Sequence, residues 1–119
     1  MNYRARLGAL QGALQQQKFD ILIVTHLPDV RYLCGFTGSA GVLVVGNGET
    51  RFFTDGRYTS QAKKEVVAAS VTVSRNPPLF TAAEWLRRRS SRAGTLRVGI
   101  DGEHMTVAAH AQLRTILPS

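Results

Sequence analysis

Two β-rich segments, Val42-Leu43-Val44-Val45 and Thr50-Arg51-Phe52-Phe53-Thr54, flank Gly46-Asn47-Gly48. An Asn-Gly pair between such segments suits a tight hairpin, because both residues tolerate the positive φ that two-residue turns require. A turn this short makes its two strands antiparallel. Whatever sheet this chain builds therefore contains an antiparallel pair and is not purely parallel.

The remaining segments alternate helix with strand around that hairpin. Leu7, Leu10 and Leu14 recur at helical spacing and predict an amphipathic helix over 3–17. Residues 20–25 form a nearly continuous apolar run, as a strand buried on both faces does. Pro28 interrupts that run, and Asp29 is a suitable cap for a short helix at 30–33. A helix is expected from Tyr58 to Val67, a strand at Val71-Thr72-Val73 and a loop at Asn76-Pro77-Pro78. Thr81, with Glu84 three residues on, reads as a capping box opening a helix through Arg89, with Trp85 and Leu86 on its buried side. Residues 97–101 read as a strand, and Thr106 as the cap of a last helix ending at Leu117 before Pro118. The fold class is α/β, with a mixed sheet flanked by helices.

At 119 residues, with 44% hydrophobic and 19% charged side chains, the chain suits one domain over 1–119. No apolar run approaches the ~20 residues that a membrane helix needs. The first 19 residues are polar and rich in glutamine, unlike a secretory leader. The single cysteine, Cys34, excludes an internal disulfide, and a cytoplasmic location is expected. The net charge of +7 includes the cluster Arg87-Arg88-Arg89 and Arg92. These arginines suit a solvated helix end, where cations complement the helix dipole. No aromatic residues are interleaved with them, so nucleic acid is not the expected partner.

Gly35-Phe36-Thr37-Gly38-Ser39-Ala40-Gly41 has the composition of a phosphate loop but not its pattern. It lacks the Gly-Lys-Ser/Thr ending, does not match GxGxxG, and leads into a strand. Gly38-Ser39-Ala40-Gly41 is one residue short of a serine elbow, so Ser39 is not read as a nucleophile. Gly35, Gly38 and Gly41 instead suit unusual dihedrals or close backbone approach. Cys34 reads as a small apolar side chain. His26, His104 and His110 lack the spacing of a metal site, and no metal is expected in this chain. Among the carboxylates Asp55, Glu65, Asp101 and Glu103, Asp55 lies in a turn, where its oxygens can collect backbone amides. No set of nucleophile, base and oxyanion donor is complete.

The stretches ILIVTHLPDVRYLCGFTGSAGVLVV and FFTDGRYTSQAKKEV resemble the N-terminal domain of the creatinase, prolidase and aminopeptidase P family, with LPNIRYLTGFTGSNG and FTDGRYTEQA as the family pattern. Departures are mild: Asp29 for Asn, Val30 for Ile, Cys34 for Thr and Ala40 for Asn. The resemblance implies a domain like ribonuclease H in outline. It implies a parent Xaa-Pro metallopeptidase, aminopeptidase or dipeptidase, whose C-terminal pita-bread domain lies outside this chain. That domain would hold two divalent ions, manganese, zinc or cobalt, and cleave peptides with proline at the second position. The N-terminal domain would carry no catalytic residue, assist homodimerisation and wall the cleft. Tyr32, Phe36, Arg57 and Tyr58 are the candidates for facing the cleft or an interface; Gly35, Gly38, Gly41 and Asp55 would shape the two loops. A creatinase-type hydrolase and a free-standing basic interaction module are the alternatives.

Overall fold

The computed structural model describes residues 2–17, 19–46, 48–93 and 98–100. The helix expected from Thr106, together with Asp101, Glu103, His104 and His110, lies outside them.

Helix α1 spans Tyr3–Gln16 and is capped by Asn2, whose side-chain oxygen accepts from the Ala5 amide at 3.0 Å. Strand β1 covers Ile21–Val24, helix α2 Leu27–Cys34, strand β2 Val42–Gly46 and strand β3 Glu49–Asp55. A 3-10 turn at Gly56–Tyr58 leads into helix α3, Thr59–Glu65. Strand β4 (Ser70–Ser74), helix α4 (Pro78–Ala93) and strand β5 (Val98–Ile100) follow. The sheet has the order β4-β3-β2-β1-β5. Its two inner pairings, β1 with β2 and β2 with β3, are antiparallel; β3 with β4 and β1 with β5 are parallel. The hairpin thus sits at the centre and makes the sheet mixed. Gly48 takes φ 78° at its turn.

Two helix starts differ from the sequence reading, both at prolines. Helix α2 begins at Leu27, with His26 as its cap, so Asp29 lies in the first turn and caps nothing. Helix α4 begins at Pro78 rather than after Thr81; Thr81 sits inside the helix and its hydroxyl points back to the Pro77 carbonyl at 3.4 Å. Glu84 accepts from Arg87 at 3.0 Å and does not close a capping box. Proline lacks the amide that a first turn leaves unpaired anyway, and its fixed φ suits helix entry. The same residue that interrupts a strand therefore opens the next helix.

Alternating side chains divide into two cores. Leu43 and Val45 of β2 and Phe52 of β3 pack with α1, α2 and α3 through Leu7, Leu14, Val30 and Ala62. Val42, Val44 and Phe53 point to the other face, against Ala82, Ala83 and Leu86 of α4. Burial on both faces explains why β1 and β2 read as unbroken apolar runs.

The glycines of the loop after α2 are placed by contact with the first core. A Cβ on Gly38 would lie 2.3 Å from Phe36 Cζ, and one on Gly41 2.5 Å from Phe52 Cζ. Both rings are buried, and their centroids are 4.6 Å apart. They have no room to withdraw, so Gly38→Ala or Gly41→Ala is expected to lower stability by about 1–3 kcal/mol. Gly12→Ala in α1, where nothing lies within 4 Å of the added carbon, is expected to raise it by about 0.5–1 kcal/mol. Urea denaturation of the three variants checks this; an unchanged midpoint for Gly38→Ala would show that the rings yield.

Candidate functional site

β1 ends at Val24, β2 begins at Val42 and β3 ends at Asp55. The registers pair Val24 with Leu43 and Val42 with Phe53, so these three strand ends lie together. The loop 35–41 and the turn 55–58 therefore emerge side by side at one end of the sheet. Side chains then join them. Thr54 Oγ1 donates to the Ala40 carbonyl at 2.6 Å. The Thr37 amide donates to Glu65 Oε1 at 2.8 Å, and the Thr37 hydroxyl reaches the same carboxylate at 2.9 Å. Gln61 Nε2, one helical turn before Glu65, donates to Thr37 Oγ1 at 3.1 Å and to Glu65 Oε1 at 3.2 Å. The Ser39 and Tyr58 hydroxyls share a short hydrogen bond.

The expected loop-shaping roles are carried by different mechanisms. Gly35 ends α2 at φ 90°, in the left-handed region that glycine enters without penalty. Gly38 and Gly41 serve the close approach of the two phenyl rings. Asp55 caps the 3-10 turn by accepting from the Arg57 amide at 3.0 Å. It also accepts from Arg57 Nε at 3.1 Å and Nη2 at 2.8 Å, a two-bonded fork. The Arg57 guanidinium holds the Asp55 carboxyl below its ordinary range.

The four residues singled out for a cleft or interface do not form one group. Arg57 and Tyr58 stand together: the guanidinium lies 5.2 Å from the Tyr58 ring centroid, and the Arg57 side chain is 70% exposed. Phe36 does not face outward. It is 1% exposed and packs edge-on against Tyr58 at 5.5 Å, so its part is to support the lip from within. Tyr32 is 57% exposed but lies on the other side of α2, in a groove with Leu10, Leu22 and Asp29. Arg6 stacks on it at 4.1 Å and donates to its carbonyl at 2.8 Å. Thr37, Ser39 and Gln61 carry no site signal in the sequence, yet with Glu65 and Tyr58 they tie the Gly-rich loop to α3 and to the turn. Only the Gln61–Glu65 spacing, one helical turn, offered a sequence signal.

Arg31 with Leu27 and Pro28 of α2 borders a groove of about 460 Å³ whose other wall is Thr37–Ser39. Cys34 is fully buried, and burial pushes its thiol up, away from reactivity. Among the described residues no three His, Cys, Asp or Glu side chains come close enough to hold a metal ion. Among those residues, too, no helix is long and apolar enough to cross a membrane. Of the arginine cluster, Arg87 pairs with Glu84 at 3.0 Å, and Arg89 pairs with Glu49 at 2.8 Å while stacking on Trp85 at 4.7 Å.

The fold defines the class: a mixed five-stranded α/β domain with a lip of two joined loops at one end of its sheet. Comparison with known proteins gives its family. The profile of the Creatinase/Prolidase N-terminal domain matches residues 6–119, and the chain belongs to that family. It is 30% identical over 112 residues to the uncharacterized peptidase YqhT of Bacillus subtilis, covering 94% of this chain and 31% of that protein. The crystal structure of the N-terminal domain of a putative metallopeptidase from Corynebacterium diphtheriae superposes with a TM-score of 0.85 at 30% identity, covering 100% of this chain and 91% of that one. The N-terminal domain of the cytoplasmic peptidase PepQ of Mycobacterium tuberculosis superposes with a TM-score of 0.79 at 29% identity, covering 94% and 84%. The chain spans less than a third of the length of the curated relatives it matches.

Glu65 provides a test of the lip by pH. The Thr37 amide, above all, holds its carboxyl below the ordinary value of 4.5. A carboxyl depressed by folding contributes stability above its unfolded pKa and loses it as the pH falls through the folded one. Stability is expected to fall as acid passes below 4.5, and to fall less steeply in Glu65→Gln, with Asp55 accounting for part of the remaining slope. Urea midpoints measured across that range check this; parallel acid limbs for parent and variant would show that the bond to Thr37 contributes nothing.

Proposed function

We propose that the chain is the non-catalytic N-terminal domain of a two-metal Xaa-Pro aminopeptidase or dipeptidase, and that it walls the active-site cleft and assists homodimerisation. The observation that carries this reading is the family match over 6–119 in a chain that spans only 31% of a peptidase relative. Several further relatives are named as probable Xaa-Pro aminopeptidases P, which favours a peptidase over a creatinase-type hydrolase. On this reading the manganese, zinc or cobalt ions belong to the C-terminal domain of the same polypeptide. A cytoplasmic location is part of the proposal, in line with the PepQ neighbour.

Within the wall, Arg57 is the residue offered to peptide. It is a guanidinium on an exposed turn, held by a carboxylate and an aromatic ring, with Nη1 making no hydrogen bond among the described residues. A donor aimed in this way suits a peptide carbonyl or carboxylate. Tyr32 lies under Arg6 instead, and Arg87 and Arg89 of α4 pair with Glu84 and Glu49.

The 119-residue chain alone, given an Xaa-Pro peptide and manganese, is expected to show no hydrolysis; turnover by the pure chain would overturn the reading. In the full-length polypeptide, Arg57→Ala is expected to raise KM about ten-fold, the scale of one lost charge-assisted hydrogen bond, with the melting temperature preserved. A lowered melting temperature with unchanged KM would assign Arg57 to bracing the turn.

A further inference from the structure

We propose that Ser39, acting through Tyr58, is a positioning residue for the Arg57 guanidinium. This rests on the reading of Arg57 as a peptide contact and adds how an exposed arginine is kept in one orientation.

An arginine that is 70% exposed would ordinarily sample many rotamers. Here two partners restrain it in different directions. Asp55 holds Nε and Nη2 in the plane of the guanidinium through two hydrogen bonds. The Tyr58 ring faces the guanidinium carbon at 5.2 Å, within the range of a cation–π contact. The second restraint is only as firm as the ring itself. Tyr58 is partly exposed, and its ring is fixed on three sides by the Gly-rich loop. Phe36 meets it edge-on, at 86° between the ring planes. Gly38 lies so close that an added Cβ would be 2.9 Å from Tyr58 Cδ1. Ser39 holds the hydroxyl at the far end.

Phe36 and Gly38 prevent the ring from moving inward, but neither stops it swinging out toward solvent. The hydrogen bond to Ser39 is the contact that opposes that motion. The chain of contacts therefore runs from Ser39 to the Tyr58 hydroxyl, through the ring to the guanidinium, and ends at Asp55. It gives the serine of the Gly-rich run a purpose that its chemistry as a nucleophile does not. It also gives Tyr58 a supporting role in place of direct contact with substrate.

The test uses Ser39→Ala, Tyr58→Phe and Ser39→Thr, each alone and combined with Arg57→Ala in the full-length polypeptide. Ser39→Ala and Tyr58→Phe are each expected to raise KM for an Xaa-Pro peptide about three-fold at constant kcat, as loss of one exposed stacking or hydrogen-bond restraint would. Ser39→Thr keeps the hydroxyl and is expected to retain the parent KM. In the Arg57→Ala background both effects are expected to vanish, because the residues act through that side chain. Effects that add to Arg57→Ala, or no effect of Ser39→Ala on KM where Arg57→Ala itself raises it, would overturn the proposal. A second readout separates it from the peptide-contact reading. Hydrogen exchange at the Arg57 Nε–H, followed by NMR in the 119-residue chain, is expected to quicken in Ser39→Ala and Tyr58→Phe and to stay at the parent rate in Ser39→Thr. Faster exchange with no change of KM in Arg57→Ala would leave the positioning intact and remove the peptide contact; unchanged exchange would remove the positioning itself.

Discussion

The contact on which the rest depends is the seating of backbone against two phenyl rings. Gly38 and Gly41 bring the loop down onto Phe36 and Phe52 at distances no side chain would permit. The rings in turn belong to the core beneath α1, α2 and α3. Fully burying a ring of this kind contributes about 1.5–3 kcal/mol, so a loop of small residues is fastened by the hydrophobic core itself. Its polar bonds, from Thr37 to Glu65 and from Ser39 to Tyr58, then act on a backbone already in place. On a loose loop those surface bonds would contribute little, because each would have to order the chain that makes it.

The mixed sheet determines where this seating occurs. A central hairpin sends β2 away from one end of the sheet and returns β3 to it. The connection entering β2 and the end of β3 are thereby neighbours, although the bond that joins them, from Thr54 to Ala40, spans 14 residues of sequence. The parallel pairing of β3 with β4 requires a crossover, and α3 with its flanking turns supplies it. Glu65, at the end of that helix, arrives beside Thr37 for this reason. The site is thus a consequence of strand order, and its side chains refine a proximity that topology has already created.

The hairpin, α1 and the doubly buried strands were legible because their signals are local: an Asn-Gly turn, leucines at helical spacing and unbroken apolar runs. The family pattern in the two loops was legible for the same reason. The helix starts at Leu27 and Pro78 were not, since proline signals both an interruption and a first turn, and only the flanking geometry decides. Phe36 was misplaced because an aromatic between glycines carries no mark of which way it points. Its burial follows from Phe52, 16 residues later, whose position depends on the sheet. Ser39 was weighed against nucleophile patterns and set aside. Its partner Tyr58 lies in another motif, and no spacing rule connects the two. Tyr32 was grouped with Arg57 because both stand in matched motifs, yet α2 separates them.

The basic excess of the chain acquires a different meaning once its arginines are placed. Arg6, Arg51, Arg57 and Arg89 each lie over an aromatic ring, on Tyr3 and Tyr32, Trp85, Tyr58 and Trp85 respectively. Arg51, Arg57 and Arg89 also pair with a carboxylate. Lysine would not replace them, because a compact ammonium has neither the planar face to stack nor the fork to hold a carboxylate at two points. Glu49, shared by Arg51 and Arg89, and Asp55 offset part of this charge at short range. What remains is directional: N–H groups held at fixed angles by a ring on one side and a carboxylate on another. At Arg51 and Arg89 that rigidity is spent on joining α4 to β3, where both guanidiniums meet Trp85. At Arg57 the same construction stands on an exposed turn beside the Gly-rich loop, with no hydrogen bond at Nη1 among the described residues. One structural device thus serves to brace the sheet in one place and to present a donor in another, and exposure is what separates the two uses.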